Sequence, residues 1–198
     1  MAIQLIVFDI AGTTLADNYD VHRVLQKALA ADEITISIED ANAVMGIPKP
    51  VAIRSLLEKR YAGSLAIDED WIQTIHARFV NEMIHFYKTD PGVHEKAGVS
   101  ETFFELKKRN IKVVVDTGFD RKITDAILER VGWKHNVLID ASVASDEVAN
   151  GRPYPDMIFK AMKLTEVTSV AHVAKVGDTP SDLQQGSAAG CRLVVGVT

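Results

Sequence analysis

The sequence holds a single cysteine, Cys191, so no internal disulfide can form. A lone thiol suits a reducing compartment. Positive charge is also in short supply: 22 Lys and Arg stand against 27 Asp and Glu, a formal net charge of −5. No basic surplus exists to attract a polyanion, which excludes nucleic acid as an expected partner. Long apolar runs are missing too. The N-terminal stretch from Ile3 to Phe8 is nearly continuous, but it stops at Asp9 and has no basic residue before it. A membrane span needs about 20 apolar residues, and a secretory signal needs a basic front. The expectation is a soluble, cytoplasmic protein with no membrane partner. The six histidines, at 22, 76, 85, 94, 135 and 172, form no spaced metal cluster.

What is there is ordinary globular material. Of 198 residues, 47% are hydrophobic and 25% charged. A chain of this length buries roughly 70% of its unfolded surface, so a full core needs no staples. Ile3 to Phe8 reads as a strand buried on both faces, as in a parallel sheet. Ala11-Gly12-Thr13-Thr14 follows as a turn.

A block with helical periodicity comes next. Tyr19 to Ala31 carries Val21, Val24, Leu25, Ala28 and Leu29 at helical spacing. Ile38 to Val44 is a short helix with Ser37 as its N-cap. Gly46-Ile47-Pro48-Lys49-Pro50 breaks it. Val51 to Tyr61 and Asp68 to Tyr87 are two further helices, the last with Trp71, Ile72, Ile75, Phe79, Met83 and Phe86 in register. No strand pattern falls between Leu15 and Lys88. The apolar first helix could pair with a second copy, so a homodimer through this block is one arrangement the sequence allows, and the sequence does not set the oligomeric state.

From Pro91 helices and strands alternate. Helices are expected at Val99 to Arg109, Arg121 to Val131 (closed by Gly132), Pro155 to Met162 and Ser181 to Ala189. Strands are expected at Ile111 to Val115, Val137 to Asp140, Val170 to Val176 and Leu193 to Val197. The alternation predicts an α/β fold with a doubly wound parallel sheet, interrupted after its first strand by an all-helical insert. The division is 1–14 with 89–198 as the α/β core domain, and 15–88 as the helical domain. The last strand runs to Thr198 with no helix after it; either the chain is shortened there or the fold stops.

Ligands of open parallel sheets bind beyond the carboxyl ends of the strands. Polar groups stand at four such ends: Asp9, then Asp116-Thr117-Gly118, then Arg152 in Asn150-Gly151-Arg152-Pro153, then Gly177-Asp178-Thr179-Pro180-Ser181-Asp182. Taken singly, each has a plain structural reading. Asp9, Asp178 and Asp182 suit turns and helix caps, Thr117 a cap, and Arg152 a solvated loop. Taken together they supply a carboxylate nucleophile, a hydroxyl, a cation and metal-binding carboxylates, a complete set for phosphoryl transfer. Mg²⁺ is commonly held by one or two carboxylates with phosphate oxygens and water.

In this order the motifs resemble the haloacid dehalogenase superfamily, over nearly the whole chain. Asp9-Ile10-Ala11-Gly12-Thr13-Thr14 resembles its first motif, Thr117-Gly118 its second, Arg152 its third and the stretch from Gly177 to Asp182 its fourth. The helical block resembles the superfamily's small cap. The resemblance implies a hydrolase with Asp9 as nucleophile, and Mg²⁺ on Asp9, the Ala11 carbonyl, Asp178 and Asp182. It also implies catalytic roles for Thr117 and Arg152, with Gly12, Thr13 and Gly118 binding a small phosphorylated or phosphonate substrate. Most phosphatases of the superfamily carry an acid two positions after the nucleophile; here Ala11 stands there. The wording around Ala11 and the Gly151-Arg152-Pro153 stretch resemble the phosphonatase branch. Met45-Gly46-Ile47-Pro48-Lys49 resembles that branch's imine-forming segment, which implies a Schiff base on Lys49. The branch has a histidine three positions further on, where this chain has Ala52. Two alternatives stay open: a phosphatase for esters or acyl phosphates that needs no imine, and a non-catalytic ligand-binding relative.

Overall fold

A computed structural model describes residues 2–62, 66–133, 135 and 137–198. Five strands form one sheet: β1 (Leu5–Asp9), β2 (Lys112–Thr117), β3 (Ala141–Ala144), β4 (Val173–Gly177) and β5 (Leu193–Gly196). All neighbours are parallel, in the order β3-β2-β1-β4-β5. The doubly wound α/β sheet expected from the sequence is therefore present. The winding runs outward from β1 to β3, then restarts on the other side at β4. Such a reversal leaves a crevice beyond the carboxyl ends of β1 and β4, where Asp9 and Asp178 stand.

Strand alternation divides the core. Leu5 and Val7 join Val114, Met157 and Ile158 on one face. Phe8, Val113 and Val115 join Phe103 and Ile123 on the other. Burial of each such side chain stabilises the fold by roughly 1.5–3 kcal/mol.

Helices α1 (Asp20–Ala30), α2 (Ile38–Asn42), α3 (Lys49–Tyr61) and α4 (Glu69–Thr89) fill the stretch between β1 and α5 (Val99–Lys108). Among its described residues there is no strand. Ser37 caps α2 through a capping box with Asp40, as expected. Asp68 caps α4 by accepting the Asp70 N–H. The buried positions Val21, Leu25, Ala28 and Leu29 follow the helical period of α1 and pack on α4. The apolar face of α1 is thus covered within the chain. Helix α4 also packs on α6 (Arg121–Val131), so the helices share one apolar cluster with the sheet. The two connections of the helical stretch run side by side: Ala16 N–H donates to the His94 carbonyl at 3.1 Å, and Lys96 N–H to Thr14 at 2.9 Å.

Most expected boundaries shift by a residue or more, and three of the shifts have a clear physical reason. The third strand is Ala141–Ala144, not Val137 to Asp140; Val137 is 62% exposed. The real strand, Ala-Ser-Val-Ala, is wholly buried between β2 and α7 (Asp156–Thr165), and its small residues hide the apolar signature. The segment Val170–His172 is a single 3-10 turn, and β4 starts only at Val173. Helix α3 starts at Lys49, with Pro50 in its first turn, where proline's missing N–H costs nothing. Helix α8 (Pro180–Ala189) closes the fold before β5, and no helix among the described residues is long and apolar enough to cross a membrane.

Candidate active site

The crevice opens into a cavity of about 470 Å³, lined by Asp9, Lys49, Thr117, Arg152 and Asp178 among others. This size suits a small ligand. Parallel register sets the floor: Asp9 lies opposite Asp116 at the ends of β1 and β2.

Arg152 organises the floor. It is 2% exposed. One terminal nitrogen lies 2.7 Å from Asp9 Oδ1 and 2.9 Å from Asp182 Oδ1; the other lies 2.7 Å from Asp116 Oδ1. The sequence reading puts Arg152 on substrate oxygens; here both terminal nitrogens are engaged by carboxylates. A guanidinium fork allows this, since its donors are fixed in one plane.

Beneath it sits Lys175, absent from the sequence reading. Its ammonium is fully buried, 2.5 Å from Asp116 Oδ1 and 2.9 Å from Asp182 Oδ1. The signal was a lysine inside the apolar strand Val173-Ala174-Lys175-Val176, since lysine is almost never fully buried unless paired.

Asp182 is held on both oxygens. Oδ2 accepts from Thr179 Oγ1 at 2.5 Å and from the Thr179 N–H at 3.2 Å, the capping box of α8. Burial raises its pKa, but Arg152 and Lys175 outweigh that and hold it at about 2. Asp9 goes the other way. Burial and the Asp182 charge push its carboxyl up to about 8, against the opposing pull of Arg152 and Lys175. Asp178 is exposed and accepts from Thr13 Oγ1 at 2.7 Å.

Oxygens of Asp9, Asp178 and Asp182 lie within 4.8 Å of one another. These are hard oxygen donors, and Asp178, exposed to the cavity, has no ion pair with Arg152 or Lys175. Three hard carboxylates gathered at one strand-end rim fit magnesium in donor chemistry.

Thr117 lies at the end of β2, and its Oγ1 accepts the Phe119 N–H at 3.2 Å, leaving its proton to donate. Gly118 has a second use. A Cβ there would stand 2.9 Å from the Gly46 carbonyl oxygen and 3.0 Å from that of Ile47. Its absence lets the turn before α3 sit directly over the floor.

That turn carries Lys49 into the cavity. Lys49 is 3% exposed. Its ammonium lies 5.7 Å from the Phe79 ring centre and 5.5 Å from that of Phe119. Burial, then the Arg152 charge, lowers its pKa to about 8, while Asp9 and Asp17 pull it upward. Ala52 is fully buried one turn along. Of the helical histidines, His22 lines the cavity. Burial lowers the His76 pKa, with Lys49 acting in the same direction. Asp17 also lines the cavity, a residue that sequence reasoning passed over. Trp71 donates to Asp32 at 2.9 Å and Phe79 is fully buried, so both serve the core.

With this geometry in view, comparison with known proteins is specific. The haloacid dehalogenase-like hydrolase family matches residues 3–190. A phosphonoacetaldehyde hydrolase from Bacillus cereus (strain G9842) is 32% identical over 202 residues, covering 96% of this chain and 74% of that protein. The crystal structure of a phosphonoacetaldehyde hydrolase-like protein from Oleispira antarctica superposes with a TM-score of 0.86 at 24% identity, covering 100% of this chain and 73% of the other. A β-phosphoglucomutase structure from Clostridium difficile superposes with a TM-score of 0.80 at 18% identity, covering 99% and 85%.

Proposed function

The chain belongs to the haloacid dehalogenase-like hydrolases, on their phosphonatase-like branch, and from that premise we propose that it is a magnesium-dependent hydrolase of a small phosphonate such as phosphonoacetaldehyde. One observation carries the reading. A carboxylate gripped by a buried arginine and a buried lysine with a depressed pKa line the same cavity.

In this reading residues 15–88 form a cap over the core domain of 1–14 and 89–198, and the cap delivers Lys49. Lys49, entering as its ammonium and reacting as the free amine, condenses with the substrate aldehyde; two of its protons leave on water and the third stays on the protonated imine. Burial favours the unprotonated amine that this step needs. The Asp9 oxygen that Arg152 leaves free attacks phosphorus. The C–P bond breaks, and its electron pair moves to the imine nitrogen, giving an enamine. Protonation of the enamine carbon and hydrolysis release the aldehyde and free Lys49; water then releases phosphate from Asp9.

Thr117 donates its hydroxyl to a phosphoryl oxygen, and the backbone around Gly12, Thr13 and Gly118 borders the same group. Arg152 fixes the attack direction by holding Asp9 Oδ1, and its charge faces the phosphoryl group from below. Asp9, the Ala11 carbonyl and Asp178 would hold magnesium, with Asp182 behind them, and its charge offsets the repulsion between the nucleophile and an anionic substrate.

The alternative is a phosphatase whose leaving group needs no proton. Ala11 and Ala52 favour it, because neither side chain carries one. Borohydride treatment in the presence of phosphonoacetaldehyde separates the two. The phosphonatase reading predicts a reduced adduct on Lys49 and loss of activity. Turnover without any Lys49 adduct would leave the phosphatase reading.

A further inference from the structure

Imine formation needs a proton carrier beside Lys49, and the cavity offers few. Its titratable groups are Asp9, Asp17, His22, Lys49, Arg152 and Asp178. Asp9 and Asp178 belong to the phosphoryl and metal end. Arg152 does not release its proton in a protein. His22 is poorly placed: Nε2 faces Asn42 Oδ1 at 3.3 Å, while Nδ1 is sealed from solvent with no partner. Asp17 remains.

Asp17 is built for the task. It stands in the connection between β1 and α1, half-buried on the cavity wall. Its Oδ1 accepts the Asp20 N–H at 2.8 Å and the Val21 N–H at 3.4 Å, so the first turn of α1 fixes the carboxylate. Neither of those bonds uses Oδ2. Asp20 and His22 act on its charge, and its own charge acts on Lys49 and on the neutral Tyr87 hydroxyl. Burial raises its pKa, which brings it closer to neutral proton exchange.

We infer that Asp17 is a catalytic residue: the acid/base that shuttles protons between Lys49 and the carbonyl oxygen of an aldehyde substrate. The proposal rests on the imine reading above. The Asp17 carboxylate takes a proton from the Lys49 ammonium. The free amine adds to the aldehyde carbon, and Asp17 returns that proton to the oxygen. A second proton then leaves the nitrogen and passes through Asp17 to the hydroxyl, which departs as water. Two of the three ammonium protons end on water, one stays on the imine nitrogen, and Asp17 finishes as the carboxylate it began as.

Asp17→Asn keeps an oxygen for the α1 N–H groups but carries no exchangeable acid proton. The test is the rate of borohydride-trappable Lys49 adduct after mixing with phosphonoacetaldehyde. Asp17→Asn should slow it about 100-fold or more, the usual worth of a positioned acid/base, yet reach the wild-type final yield. Added formate should restore part of the rate. Asp17→Ser, which can also accept the α1 N–H groups, serves as a second variant and should be equally slow. Trapping at the wild-type rate in either folded variant would overturn the role of Asp17 while leaving the imine intact. Absence of a Lys49 adduct in the wild type would overturn both together.

Discussion

Lys175 Nζ stands 2.5 Å from Asp116 Oδ1, both side chains fully buried, with Arg152 bound to the same Asp116 oxygen and Asp182 to the same lysine. Neither residue lines the cavity. Their effect on it passes through Arg152 and Asp182, which share the same oxygens.

Removing one member of such a pair leaves an uncompensated charge in the interior. Lys175→Met should therefore destabilise the fold by roughly 3–5 kcal/mol. Replacing both, as Lys175→Met with Asp116→Leu, should recover much of that loss, because no buried charge is stranded. Urea unfolding of the two variants and the wild type reads this directly. A single variant as stable as wild type would contradict the buried-pair account.

Gly12 has φ +92°, and a Cβ there would run into the Asp178 carboxylate. Gly12→Ala should displace that carboxylate and weaken Mg²⁺ binding about 10–100-fold, the scale seen when groups that orient a ligand are altered. Titration calorimetry measures it. Unchanged affinity would mean that Asp178 is not a ligand.

Lys49 also predicts a pH dependence of stability. Its ordinary value of 10.5 falls to about 8 in the fold, through burial first and Arg152 second. Below about 8 the lysine is charged in both states, so the folded state bears the full cost of a buried ammonium. Between there and 10.5 the unfolded chain holds the extra proton, so stability rises with pH. The total gain is roughly 3 kcal/mol. Comparing wild type with Lys49→Met isolates it: the wild type should gain relative to the variant as pH rises from neutral toward 10.5. Parallel curves would place Lys49 in solvent.

The sequence carried the sheet because β1 is an apolar run and each helix repeats its buried positions. It placed Asp9 and Asp178 at the rim because Asp9 ends β1 and Asp178 follows β4 directly. Strand β3 was illegible: Ala141, Ser142 and Ala144 are small, and their burial comes from neighbours distant in the chain. The depth of Lys49 was equally hidden, since it depends on Phe79 and Phe119 arriving from two other segments. Arg152 could be placed at the rim but not aimed. Its direction follows from Asp116 and Lys175, and a lone lysine in an apolar strand was the one available hint. Asp17 looked like any polar residue ahead of a helix until the cavity wall was closed around it.

In the proposed mechanism Asp9 becomes phosphorylated during turnover. Acid quenching of the Mg²⁺-loaded enzyme in single turnover, followed by peptide mass analysis, tests it most directly. One phosphoryl group is expected on Asp9, appearing and decaying at rates consistent with turnover and missing in Asp9→Asn. Turnover with Asp9 unmodified throughout, or an active Asp9→Asn variant, would contradict it.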